Sequence, residues 1–203
     1  MPTDKAVIRT QELPVLDVGD FLGGSDADLE SLAEQLRSAA EEFGFFFIKN
    51  HGISEKLIKN VFSENKRFHS QSMEVKNTIA IDDNQRGYIR PKATLLKHST
   101  YNKNTTFDSN ETTVFATEYG IDNLYRKAGK RFYGENQWPK DLPGFKEIVQ
   151  EYMDTMTQLG KATLPIWARA LGLEREYFAP YFENNHTYFI INYNFIIYTY
   201  RRE

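Results

Sequence analysis

Cysteine is absent from the 203 residues. That excludes disulfide staples, a thiol nucleophile and a thiolate metal centre. Histidine is scarce, with four residues, and tryptophan scarcer, with two. No apolar run approaches the roughly 20 residues of a membrane-spanning helix. The opening MPTDKAVIRT lacks the apolar stretch of a signal peptide. Neither sign of charge dominates: 25 Lys and Arg face 28 Asp and Glu, a net charge of -3. Attraction to a polyanion is therefore not expected. These absences point to a cytoplasmic protein with no nucleic-acid and no membrane partner.

What is present is ordinary globular composition, 40% hydrophobic and 26% charged, in a length that suits one sizeable domain. Aromatic residues are plentiful, with 15 Phe and 12 Tyr. The most distinctive stretch runs from Phe43 to Ile53 and reads FGFFFIKNHGI. Phe45–Lys49, bounded by Gly44 and Gly52, predicts a short strand buried on both faces. Gly44 follows an amphipathic pattern, where a left-handed residue ends a helix. Asn50-His51-Gly52 signals a turn, and Ser54 suits the N-cap of the next helix.

The rest of the chain alternates helical and strand patterns. Leu13–Asp17 predicts a first strand, with Pro14 confined to its start. Ser25 or Asp26 can cap a helix whose apolar positions are Leu29, Leu32, Ala33, Leu36, Ala40 and Phe43. A second helix follows Ser54, with Leu57, Ile58, Val61, Phe62 and Phe68 on one face. Pro91–Asn110 is polar and aperiodic and predicts a loop. A long helix runs from Phe145 to Leu171, broken near Lys161–Leu164 because Pro165 removes a hydrogen bond and clashes with the preceding turn. Gly172 stops it. Thr187–Tyr200, reading TYFIINYNFIIYTY, is strand-like throughout and has neither Pro nor charge. The expected fold class is α+β, with helices packed on one incomplete sheet holding 13–17, 45–49 and 188–200.

FGFFFIKNHGI resembles the FGFFxVxNHGI signature of the isopenicillin N synthase-like group of non-haem Fe(II) oxygenases, most of which use 2-oxoglutarate. Leu13–Asp17 resembles that group's opening strand, Ser72–Lys76 its short P-x-E-E-K helix, and Arg86-Gly87-Tyr88 its RGY element. GENQWPKDLPGF, from Gly134 to Phe145, is similar to a feature of its microbial members, and Tyr177–Phe182 to its link into the barrel. The resemblance implies the N-terminal half of a jelly-roll (double-stranded β-helix) oxygenase over residues 1–185. It implies that 186–203 form the first barrel-type strand, with the rest of the barrel absent. It further implies a substrate wall that includes Arg86 and Tyr88. Asn192 matches an Asn that contacts the cosubstrate, while Asn194 stands where a Tyr is expected. The plain alternative for Arg86-Gly87-Tyr88 is a loop that packs Tyr88 into the core.

An active member of that group needs a His-x-Asp pair and a distant His as a facial triad with open iron positions. It also needs an Arg-x-Ser to clamp the cosubstrate carboxylate. None of His51, His69, His98 or His186 is followed two residues later by an acid. No catalytic or metal-binding residue is therefore assigned. No cofactor is expected for this chain alone, whereas the intact family takes Fe(II) and 2-oxoglutarate. His51 reads as a local hydrogen-bonding partner, His69 as a cation near a helix end, His98 as solvated and His186 as part of a loop. The leading expectation is the N-terminal portion of an Fe(II)/2-oxoglutarate-type oxidoreductase acting on a small organic substrate, not competent alone. The competing expectations are a non-enzymatic binding module and a frameshifted gene remnant. Thr187–Tyr200, as a long apolar edge, predicts self-association.

Overall fold

The structure is a computed structural model describing residues 12–25, 28–93 and 107–193. Asp26, His98, most of the expected loop 91–110 and the expected strand beyond Tyr193 lie outside the described residues. In chain order the first elements are β1 (Val15–Asp17), α1 (Gly19–Leu22), α2 (Leu29–Glu42), β2 (Phe47–Lys49), α3 (Glu55–His69) and α4 (Met73–Asn77). There follow β3 (Gly87–Ile89), β4 (Glu111–Ala116), α5 (Leu124–Lys127), α6 (Phe145–Ala162), α7 (Leu164–Ala170) and β5 (Tyr188–Tyr193). The class is α+β, as expected. The single sheet is a correction: β1 and β2 form one two-stranded parallel sheet, and β3-β4-β5 form a separate antiparallel one. The chain divides accordingly into two units, 1–53 with 158–183 and 54–157 with 184–203.

The first unit holds the FGFFFIKNHGI stretch. Gly44 takes φ 77° and its N–H reaches the Ala39 carbonyl at 3.1 Å, which ends α2 as expected. Asn50 and Gly52 take φ 56° and 75° and make the turn. Asn50 in this left-handed conformation donates to both carboxylate oxygens of Asp17 at 2.9 Å, tying the end of β2 to the end of β1. The expectation of burial on both faces is overturned. Phe46 and Ile48 pack on the core of Leu16, Leu32, Leu36 and Ile166, whereas Phe45 and Phe47 are about half exposed. Strand side chains alternate between faces, and the helices cover only one face of this sheet among the described residues.

Two helix details also differ. α2 starts at Leu29 after Asp28, with no side-chain cap bond, rather than at Ser25 or Asp26. Ala39 is buried in place of Ala40. The Pro165 break falls where expected: α6 ends at Ala162 and α7 begins at Leu164, with Pro at its first turn. Gly172 follows at φ 73°. Arg37 Nε donates to the Ala170 carbonyl at 2.6 Å, satisfying one of the orphan acceptors at the end of α7.

The second unit packs α3 and α6 against the buried face of β3-β4-β5. Its core comprises Val61, Phe68, Tyr88, Phe115, Phe145, Val149, Met153 and Ile191. Ser54 caps α3, accepting from Leu57 N at 3.1 Å. Phe62, expected on the apolar face, is instead 66% exposed. β4 has no counterpart among the sequence expectations, and it supplies the central strand of this sheet.

Candidate functional site

β5 pairs with β4 along its whole length, from Glu111 opposite Tyr193 to Ala116 opposite Tyr188. Phe189 and Ile191 face the core, so Ile190 and Asn192 point to the other face. Asn192 Oδ1 accepts from the Thr112 hydroxyl at 2.8 Å across the strands. Asn192 is exposed to solvent. Beside β5 runs a groove of about 220 Å³ lined by Val61, Phe62 and Asn65 of α3, Tyr152 of α6, and Phe189–Asn192. The lining carries no charged side chain. The groove therefore suits an apolar body, with Asn65, Tyr152 and Asn192 as its polar lining residues.

Behind the strands lies a buried polar network. Lys76 Nζ of α4 donates to Glu111 Oε2 at 2.6 Å and to the His69 carbonyl at 3.1 Å. The Tyr88 hydroxyl donates to the same Glu111 oxygen. Burial, and then the Glu111 carboxylate, push the Tyr88 phenol well above its ordinary range. His69 Nδ1 lies 2.9 Å from the Asn65 carbonyl, which can only accept, so Nδ1 carries the proton. Nε2 then accepts from Thr113 Oγ1 at 3.4 Å. His69 is 4% exposed, and burial lowers its pKa below 6.5. The expected helix-end cation is thus corrected to a buried imidazole that favours the neutral form.

Arg86 and Tyr88 are both buried, Arg86 completely. The guanidinium donates to the carbonyls of Phe132 at 2.8 Å and Thr117 at 3.0 Å, and to Asn136 Oδ1 at 3.3 Å. Burial lowers its pKa, opposed by Glu118. Gly87 between them has φ 118°, and a Cβ there would meet the Ile79 carbonyl oxygen at 2.4 Å. Tyr88 packs into the core, but from strand β3 rather than from a loop. The groove beside β5 is lined by neither Arg86 nor Tyr88.

His51 Nδ1 accepts from Ile53 N at 3.1 Å, the local bond expected of it. His186 stacks on Tyr119 at 5.6 Å, with Nδ1 3.1 Å from the Tyr119 hydroxyl. Its buried Nε2 has no partner. Burial and the nearby Arg86 lower its pKa. Among the described residues no three His, Asp or Glu side chains converge as a metal site. The described residues do not fit a facial triad for Fe(II). Sequence reasoning missed Glu111, Thr112 and Thr113. The signal for them was the β-branched and aromatic run Thr112–Phe115, which follows a long polar stretch.

A family model described as "non-haem dioxygenase in morphine synthesis N-terminal" matches residues 13–141. Kihadalactone A synthase LFS of Citrus sinensis is 30% identical over 177 residues, covering 86% of this chain and 51% of that protein. The 2-oxoglutarate-Fe(II) type oxidoreductase hxnY of Emericella nidulans is 32% identical over 170 residues, covering 82% and 48%. The chain thus spans about half the length of these relatives. Among solved structures, a putative 2OG-Fe(II) oxygenase family protein of Caulobacter crescentus superposes with a TM-score of 0.71 at 21% identity, covering 89% of this chain and 56% of that one. The dioxygenase for auxin oxidation of rice superposes at 0.55 and 19% identity, covering 80% and 46%. Likeness at such identity speaks for the fold.

Proposed function

Because this chain belongs to the non-haem Fe(II)/2-oxoglutarate dioxygenase family, we propose that it forms the N-terminal portion of an oxidoreductase acting on a small organic substrate. The observation that carries this reading is the uncharged groove beside β5, whose lining includes Asn192, held on Thr112 across the strands. A bound 2-oxoglutarate would accept a hydrogen bond from the Asn192 amide, while the apolar lining shelters the body of a small ligand. Arg86 and Tyr88 enter this reading as buried supports of the sheet, since neither lines the groove. Arg86 fixes the backbone at Thr117 and Phe132, and Tyr88 anchors β3 to Glu111. When bound, Fe(II) and 2-oxoglutarate supply the oxidising chemistry of the family. The 203 residues hold neither His-x-Asp nor Arg-x-Ser, so this chain by itself is not competent.

The test is 2-oxoglutarate turnover, read as succinate in the presence of Fe(II) and O₂. The chain alone should release none above the blank. A chimera continuing after Tyr193 with the C-terminal half of the Emericella nidulans relative should release it. A folded chimera without turnover, or turnover by the chain alone, overturns the reading.

A second reading is favoured by the edge of β5. Ile190 is 54% and Phe62 66% exposed beside an uncharged groove. An apolar strand edge of this kind pairs readily with another strand. In this reading the chain is a binding module that self-associates through 187–200, the stretch that contains β5.

A further inference from the structure

His69 touches both strands that carry the Thr112–Asn192 pair, from the opposite face of the sheet. Its Nε2 lies 3.4 Å from Thr113 Oγ1. Its ring stacks on Tyr193 at 5.1 Å with an interplanar angle of 6°. Thr112 pairs with Asn192 in the ladder, and Thr113 and Tyr193 are the next residues along β4 and β5. Because side chains alternate between faces, His69 grips the neighbours of a pair whose own side chains meet on the other side at 2.8 Å. We propose that His69 is a positioning residue, a clamp on β4 and β5 whose protonation state sets the orientation of the Thr112–Asn192 pair.

The proton bookkeeping follows from the acceptors. With Nδ1–H on the Asn65 carbonyl, a neutral ring leaves Nε2 free to accept the Thr113 hydroxyl proton. A second proton on Nε2 turns it into a donor, and the Thr113 hydroxyl must then rotate to accept. That rotation occurs one residue from Thr112. The other groups facing the ring are Lys76 of α4, Tyr88 of β3, Glu111 of β4, Tyr193 of β5 and the edge of Phe68. Of the charged pair, Glu111 favours the imidazolium and Lys76 opposes it. The imidazole is therefore the group whose charge changes as the pH falls through the range where histidine titrates.

The inference rests on the reading that Asn192 meets the cosubstrate, and the experiment separates the two. The full chain, labelled with ¹³C and ¹⁵N, is titrated between about pH 7.5 and 5, where histidines change charge. The His69 ring and the Asn192 side-chain amide are followed together by NMR. The expected result is that both signals move together as the pH falls; a His69 ring that stays neutral through the whole range overturns the clamp. In Thr113→Val, His69 should still titrate while the Asn192 amide stops following it. An Asn192 amide that ignores the His69 titration, or that follows it unchanged in Thr113→Val, overturns the clamp. Should Thr113→Val lose its signal dispersion, His69→Phe takes its place. It keeps a stacking ring, and any persisting pH response of Asn192 then overturns the clamp. In a separate arm 2-oxoglutarate is added to about 10 mM, enough to register a millimolar Kd, to the folded chimera that continues after Tyr193 with the C-terminal half of the Emericella nidulans relative. Failure of 2-oxoglutarate to move Asn192, with pH coupling intact, removes the cosubstrate reading and leaves the clamp standing. A response to 2-oxoglutarate without pH coupling removes the clamp alone.

Discussion

The Lys76 ammonium and the Glu111 carboxylate meet at 2.6 Å, with 5% and 0% of their side chains exposed. Tyr88 donates to the same carboxylate oxygen, and Glu111 Oε1 has no partner. Such a pair gives back in attraction little more than it loses in hydration. Removing one partner is different, because it strands a buried charge. Glu111→Leu or Lys76→Met alone should each cost about 3–5 kcal/mol, and the double substitution should recover most of that. Urea unfolding of the three variants measures it. Single costs below about 1 kcal/mol, the range of exposed pairs, would show that the pair is hydrated in solution.

His69 makes stability pH-dependent. Burial holds its folded pKa below the ordinary 6.5, so the unfolded chain binds the proton more tightly. Its contribution is therefore fully present above about pH 6.5 and is lost as the pH falls through that value toward the folded pKa. Unfolding free energy measured from about pH 7.5 to 5 should decline more steeply for the unaltered chain than for His69→Gln. Parallel curves would assign the acid sensitivity to other groups.

Two glycines with positive φ should respond differently to a methyl group. At Gly52, φ is 75° and a Cβ would meet nothing within 4 Å. Gly52→Ala should cost about 1–2 kcal/mol, the strain of the left-handed region alone. At Gly87 the Cβ would also lie 2.4 Å from the Ile79 carbonyl oxygen. Gly87→Ala should therefore separate β3 from residues 79–80 and lower the midpoint of thermal unfolding well beyond Gly52→Ala. Equal shifts for the two would contradict the close approach.

Metal affinity tests the family chemistry directly. Anaerobic calorimetry of the 203-residue chain with Mn(II) should reveal no site tighter than about 100 μM, because no facial triad is available. Among the described residues, His186 is the histidine whose buried Nε2 has no partner. A stoichiometric micromolar site abolished by His186→Ala would contradict the reading.

The β5 edge should govern association. Ile190 is half exposed beside the groove, and a lysine on an edge strand discourages pairing. Light scattering on a sizing column should show Ile190→Lys shifted toward monomer, with its circular dichroism unchanged. An unaltered chain that is monomeric at tens of micromolar, or an identical mass for Ile190→Lys, rules out association through this edge.

Local chemistry was legible in the chain alone. Gly44, Asn50-His51-Gly52, Ser54, Pro165 and Gly172 each act within a few residues of themselves, through φ preference, capping or a missing N–H. Each stands where the chain pattern puts it. The fold class and the family were legible for the same reason, because FGFFFIKNHGI and its neighbours are contiguous. Tertiary structure decided what depends on distant partners. Phe45 and Phe47 are exposed because helices cover one face of β1–β2, which no alternation within a five-residue apolar run reveals. β4 escaped notice because its strand character comes from pairing on both sides, with β3 and β5. Lys76 and Glu111 stand 35 residues apart in the chain, and only the packing of α4 on β4 turns two ordinary surface residue types into a buried pair. His69 changed from an expected cation to a buried imidazole for that same reason: its charge is set by desolvation and by its neighbours in space, not by its place near the end of α3.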